Sequence, residues 1–300
     1  MKKVIYRLII FFTIPLTIFI LITGIYYYNE KQEVTLNLKK FSNFENLIMG
    51  DSQMQRIKPN LFNYKTYNLA SDGEHYYFTY QKIKKIISFK NHKVKRIILG
   101  FSLPHFSPVY NRLFDLKFPE GHNSLVRYLY FINLDNSEFI KLSDFTDKST
   151  PRSIVKGIYS KPDFGGLVLS NYKNPDSITI NRIFRMHYRI KKDEDSISSG
   201  QIKYLQDIQR ICNKNNIELY LVSTPFHSLY KKKIDSLYFR TLKNTLNSLQ
   251  NVKYINYLNE QTNPNWLSDA NHLNSKGADI YSKMISDSIG IKTYNSVNKN

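Results

Sequence analysis

Along most of this chain, short apolar runs alternate with segments whose apolar residues recur at helical spacing. That alternation restricts the fold more than any other feature. Phe44 to Met49, Tyr67 to Ala70, Arg96 to Phe101, Ile217 to Val222 and Val252 to Tyr257 read as strands. Glu74 to Phe89, Gln201 to Asn215, Leu229 to Leu249 and Ser275 to Ile289 read as helices. A strand, a helix and a further strand in succession form a βαβ unit, in which the helix carries the chain back so that the strands run parallel. The expectation is an α/β domain with a mainly parallel central sheet covered on both faces. Ligands of such sheets bind beyond the carboxyl ends of the strands.

One segment interrupts the pattern. Leu103 to Ser198 carries Pro104, Pro108, Pro119, Pro151, Pro162 and Pro175 and a Gly165-Gly166 turn signal. It reads as an insertion beside the site (about 103–198), with short elements of its own, and not as an independent domain. The only compositionally biased tract is the Asn/Lys-rich C-terminus.

The N-terminus has a different character. Lys2, Lys3 and Arg7 precede Leu8 to Ile25, which contains no charge, and Tyr26-Tyr27-Tyr28 follow. Such a run is long enough to cross a bilayer, and the tyrosines suit the headgroup belt. Residues 1–28 therefore read as a single-pass anchor in the cytoplasmic membrane, with its basic end inside and the chain from Asn29 onward outside the cytoplasm. A cleaved signal peptide is the competing reading, and the absence of a small-x-small site after the run counts against it. Residues 29–43 read as a polar tether and 44–300 as the folded domain.

A formal charge of +19, from 43 Lys and Arg against 24 Asp and Glu, calls for an anionic partner. The basic residues are dispersed, as in Lys82, Lys84 and Lys85 and in Lys231-Lys232-Lys233, and no nucleic-acid motif accompanies them. The expected partner is an anionic membrane surface or polymer, not nucleic acid. The single cysteine, Cys212, excludes an intramolecular disulfide and reads as inert core. No His, Cys, Asp and Glu cluster has zinc or calcium spacing, and Gly165-Gly166 lacks a P-loop lysine, so neither metal nor cofactor is expected.

Two stretches carry chemistry. In Asn46 to Gln55 an apolar run ends in Gly50-Asp51-Ser52, which is how a buried strand delivers a hydroxyl to a sheet edge. In Ser268 to Asn274 an acid, Asp269, stands three residues before His272. A serine attacks a carbonyl carbon only when a base takes its proton and donors receive the oxyanion. Asp269 against one ring nitrogen of His272 would leave the other nitrogen for Ser52.

This ordered pair of motifs resembles the SGNH, or GDSL-like, hydrolase superfamily over roughly Phe44 to Ile289, the insertion excepted. The resemblance implies a flavodoxin-like three-layer sandwich, with Ser52 as nucleophile, His272 as general base and Asp269 as its orienting carboxylate. Asp51 would support the turn. Gly73 stands where a backbone oxyanion donor is expected. The family's Gly-x-Asn-Asp after the third strand is absent, and Gly100-Phe101-Ser102 occupies that place, leaving Ser102 or Asn68 as side-chain donors. His227, after the fourth strand, is a further candidate for the pocket rim. His75 and His105 read as helix caps or surface residues.

Membrane-tethered members of that superfamily often transfer or remove acetyl groups on cell-surface polysaccharides. The resemblance therefore implies an O-acetyltransferase or esterase acting on an envelope or exported glycan, supplied by an acyl donor or a membrane acyltransferase. The alternative is a noncatalytic envelope protein that binds glycan or assists polysaccharide export.

Overall fold

The computed structural model describes residues 2–132, 138–146, 148–171, 175–260 and 262–290. Helix α1 (Lys2–Phe41) leads into β1 (Asn46–Met49), β2 (Thr66–Asn68), α2 (Tyr76–Ile87) and β3 (Arg96–Gly100). The insertion supplies α3 (Pro108–Leu113), α4 (Pro119–Tyr128), α5 (Ser149–Ile158) and α6 (Ser177–Tyr188). The chain then continues through α7 (Ser199–Lys214), β4 (Glu218–Ser223), α8 (Ser228–Lys231), α9 (Ser236–Ser248), β5 (Val252–Asn256) and α10 (Ser275–Gly290).

All five strands are parallel, in the order β2-β1-β3-β4-β5. This is the flavodoxin-like order, with the chain reversing direction between β1 and β3. The strands read as continuous apolar runs because both faces are covered. Their side chains divide by the period of two. Leu47, Met49, Ile97, Leu99, Leu219 and Leu221 join one core with α2, α7 and α9, whereas Ile48, Ile98, Tyr220 and Val222 join another under α10. Three layers result, as an α/β sheet requires.

Two expectations need correction. Leu229 to Leu249 is not one helix: Asp235 accepts the Leu237 N–H at 2.7 Å and starts α9 anew after the short α8. Residues 29–43 are not a tether either. The helix that begins in the apolar run continues unbroken to Phe41, because Val34, Leu38 and Phe41 recur at helical spacing and bury themselves in the larger core. The apolar part of α1 has a mean hydropathy of 2.6 and no buried share, long and apolar enough to cross a membrane. The Asn/Lys-rich C-terminus, from residue 291, lies outside the described residues.

Candidate active site

Ser52 stands at the carboxyl end of β1, beside the point where the sheet order reverses. Gly50 makes the turn there. Its φ is +115°, and a Cβ would stand 3.0 Å from the Gly100 nitrogen of the neighbouring strand, so both backbone conformation and space call for glycine. Asp51 then fixes the turn: one carboxylate oxygen accepts the Gln53 N–H at 3.0 Å and the other accepts the Tyr110 hydroxyl at 2.8 Å. Tyr110 comes from α3, so the insertion braces the nucleophile turn directly.

The partner loop is built around a carboxylate. Asp269 Oδ1 accepts the N–H groups of Asn271 (3.0 Å) and His272 (2.9 Å), while the His272 carbonyl accepts the Ser268 N–H at 2.9 Å. Asn274 ends the loop by accepting the N–H groups of Lys276 and Gly277, which starts α10. In this loop Asp269 Oδ2 lies 2.7 Å from His272 Nδ1, and His272 Nε2 lies 2.7 Å from Ser52 Oγ. Burial works against the Asp269 charge, but the bonds from the His272 ring and from both backbone N–H groups outweigh it and hold the carboxyl below its ordinary value. An ionised carboxylate only accepts, so Nδ1 carries the hydrogen and Nε2 is left to accept from Ser52. The structure thus brings Ser52, His272 and Asp269 into one chain of hydrogen bonds, with the His272 side chain 14% exposed and reachable from solvent.

The expected oxyanion donors divide differently. Asn68 has nothing to offer, since both amide hydrogens are taken by the carbonyls of Met54 and Ile57 at 2.8 Å. Ser102 is fully buried, with its hydroxyl 3.1 Å from His105 Nδ1 in a cap of the following turn. Gly73 sits at φ +61° after the Ser71 turn, and the N–H groups of Ser52 and Gly73 donate to no described protein acceptor. The backbone N–H groups of Ser52 and Gly73, and not the two side chains, are thereby left as candidate oxyanion donors.

His227 is tied beside the Asp269 loop: its backbone N–H meets the Ala270 carbonyl at 2.9 Å, and ring Nδ1 accepts the Leu229 N–H to cap α8, on a half-buried side chain. His75 caps α2 in the same way, accepting from Tyr77.

Sequence reasoning missed the residues that the insertion contributes. His187 of α6 receives or donates a 2.6 Å bond with Tyr230 of α8, three residues beyond His227. Burial first and the nearby His272 and His105 rings second push the His187 ring down to about 4 against the opposing pull of Asp51 and Asp269, so His187 stands within electrostatic reach of His272 and Asp269. Arg56 follows Ser52 by one turn, gives Nη1 to the Val168 carbonyl at 2.9 Å, and feels Asp269 and Asp72. A strap from the insertion passes close by. Gly165 lies against the end of β2, where a Cβ would meet the Ala70 carbonyl at 2.3 Å, and Val168 N–H reaches the Gln55 carbonyl at 2.9 Å. No local signal marks His187 or Val168, because both reach the site by long-range packing. The Gly165-Gly166 pair alone pointed to the sharp approach.

Comparison with protein-family models and with curated proteins gives no match. Among solved structures, one described as that of a platelet activating factor from Streptococcus pneumonia aligns with 91% of this chain and 99% of its own, at 10% identity and a TM-score of 0.42. A likeness of that size assigns neither family nor activity, and the chemistry rests on the side chains alone.

Proposed function

We propose that the protein is a membrane-anchored serine acyl-transfer enzyme of SGNH type, whose domain stands outside the cytoplasm and moves or removes acetyl groups on an envelope or exported polysaccharide. The hydrogen-bonded chain from Asp269 through His272 to Ser52 carries this reading. Ser52 Oγ bonds to the acyl carbonyl carbon as its proton passes to His272 Nε2. The N–H groups of Ser52 and Gly73 receive the oxyanion, and the leaving alcohol departs with the proton from His272. An incoming hydroxyl then gives its proton to His272 as its oxygen bonds to the acyl carbon, and His272 passes that proton to Ser52 Oγ as the bond between Oγ and the acyl carbon breaks. Water as acceptor makes an esterase, and a sugar hydroxyl makes a transferase. The charge of +19 suits an anionic glycan, and the uncharged run of α1 suits an anchor.

A noncatalytic glycan-binding role is the second reading, favoured by the commitment of Asn68 and Ser102 to other bonds. One experiment separates the two. Full-length protein in detergent is incubated with an activated acetyl ester and its intact mass is followed. A single acetyl adduct that disappears in Ser52→Ala supports catalysis. No adduct and no turnover across a panel of acyl esters refutes it.

A further inference from the structure

α1 and the domain are joined without a joint, and the junction lies beside one helix of the insertion. Tyr27 stacks on Tyr130 at 5.3 Å between ring centroids, and the Tyr130 hydroxyl donates to the Ile158 carbonyl at the end of α5 at 2.6 Å. The next residue, Tyr159, has its ring 5.1 Å from that of Tyr26 and its hydroxyl 2.6 Å from the Thr23 hydroxyl. Thr23 belongs to the uncharged Leu8 to Ile25 run. The carboxyl end of α5 therefore touches the last turn of the apolar segment itself.

The outward face of α5 matches that position. Lys148, Arg152, Val155, Lys156 and Tyr159 are all exposed, and at 100° per residue they fall within an arc of about 100°. Thr150 and Gly157 lie on the opposite side and are buried. The helix contains no acid, and its arc mixes basic, aliphatic and aromatic side chains. Basic side chains that are drawn to anionic headgroups and a tyrosine that suits the interfacial belt thus share one exposed face. The nearest acids on α1, Glu30 and Glu33, come after Thr23 and Tyr26, on the domain side of the run.

We infer that the Lys148–Tyr159 face of α5 rests on the headgroup layer of an anionic bilayer, seating the domain on the membrane surface. This rests on α1 spanning that bilayer. The two parts act together: α1 fixes the height of Tyr159, and the basic residues draw the rest of the helix down. Each Lys or Arg held near an anionic surface favours the seated state by roughly fivefold.

The test uses the full chain in nanodiscs of mixed anionic and zwitterionic lipid, with nitroxide labels introduced singly. Cys212 is fully buried and does not compete for label. Val155→Cys reports the face, Ile18→Cys the span and Lys243→Cys on α9 the aqueous reference. Labels at 18 and 155 are expected to collide more with oxygen than with an aqueous nickel chelate, and the label at 243 the reverse. Arg152→Glu with Lys156→Glu should move the 155 label toward water and leave the 18 label unchanged. A 155 label in water with an 18 label in lipid overturns the seating while leaving the anchor. Both in water overturns the anchor and the seating with it, and a 155 label unmoved by the two charge reversals overturns the anionic surface as its partner.

Discussion

Replacing Lys82 by methionine isolates the buried ion pair beneath the Gly73 loop. Lys82 Nζ lies 2.6 Å from Glu74 Oε2, with the two side chains 1% and 0% exposed. Nζ also sits 5.2 Å over the Tyr128 ring and 3.4 Å from the Leu69 carbonyl, while Glu74 Oε1 accepts the Thr79 hydroxyl at 2.7 Å. Methionine keeps the stem and removes the charge. Glu74, whose pKa burial already raises against the pull of Lys82, then keeps Thr79 alone and takes up a proton.

Holding a carboxyl of ordinary pKa about 4.3 neutral at about pH 7 costs roughly 1.4 kcal/mol per unit, hence about 4 kcal/mol. Removing one partner of a buried pair costs about 3–5 kcal/mol in other proteins, in agreement. The expected fall in Tm at about pH 7 is roughly 10 °C. The raised pKa also sets the sign. The deficit of the variant against the parent is largest near neutrality and shrinks by about 1.4 kcal/mol per unit as pH falls toward about 5, and it is gone only below about pH 4.3, where Glu74 is protonated in the unfolded chain as well. Circular-dichroism melts of both proteins in the same detergent at the two pH values measure it. Glu74→Gln added to Lys82→Met should recover much of the loss. A deficit that does not change with pH, or a double variant less stable than the single one, refutes the account.

Asp269→Asn keeps an oxygen for the N–H groups of Asn271 and His272 but turns an amide toward His272 Nδ1, which disfavours the tautomer that can accept from Ser52. Acylation by an activated ester should fall about 10³–10⁴-fold with little change in Tm, by analogy with other serine triads, and a loss under tenfold would contradict the assigned role. Acid should also destabilise the fold through two buried histidines. Burial lowers His75 to about 3 and His187 to about 4, so both are neutral when folded but take up protons near the ordinary value once unfolded. Stability is then complete above about pH 6.5 and declines below it, by about 2 kcal/mol from each at about pH 5. His75→Asn, which retains a capping side chain, should flatten the decline of Tm between about pH 7 and 5, and an unchanged slope would show that His75 is not a source of it.

Strands and their order of use were legible because a sheet covered on both faces leaves its mark as apolar runs. Expected and observed limits agree closely at Arg96–Gly100 and Val252–Asn256. The Gly-Asp-Ser turn and the Asp269–His272 loop were legible for a related reason, since each is held by bonds to near sequence neighbours. Asn68 ends β2, paired with Ile48 of β1, but its amide is not free for the site because it closes the Met54 and Ile57 carbonyls. Val34, Leu38 and Phe41 carry a helical period, but polar neighbours dilute it, and only their burial in the core makes the helix evident. His187 gave no sign at all, as its approach depends on how α6 packs against α8.

The unbroken course of α1 from the apolar run into the core bears on how the proposed enzyme would meet its substrate. A flexible leash over residues 29–43 would let the domain roam over a radius of about 20 Å, searching for acceptor chains on its own. A helix that buries Val34, Leu38 and Phe41 in the same core as Leu47 of the nucleophile strand permits no such search. Ser52 is held at one altitude and one bearing relative to the anchor, as a tool fixed to a bench. On the function proposed above, acceptor sites would have to be carried past it, which suits a polymer advancing along the membrane better than one fixed in a distant wall.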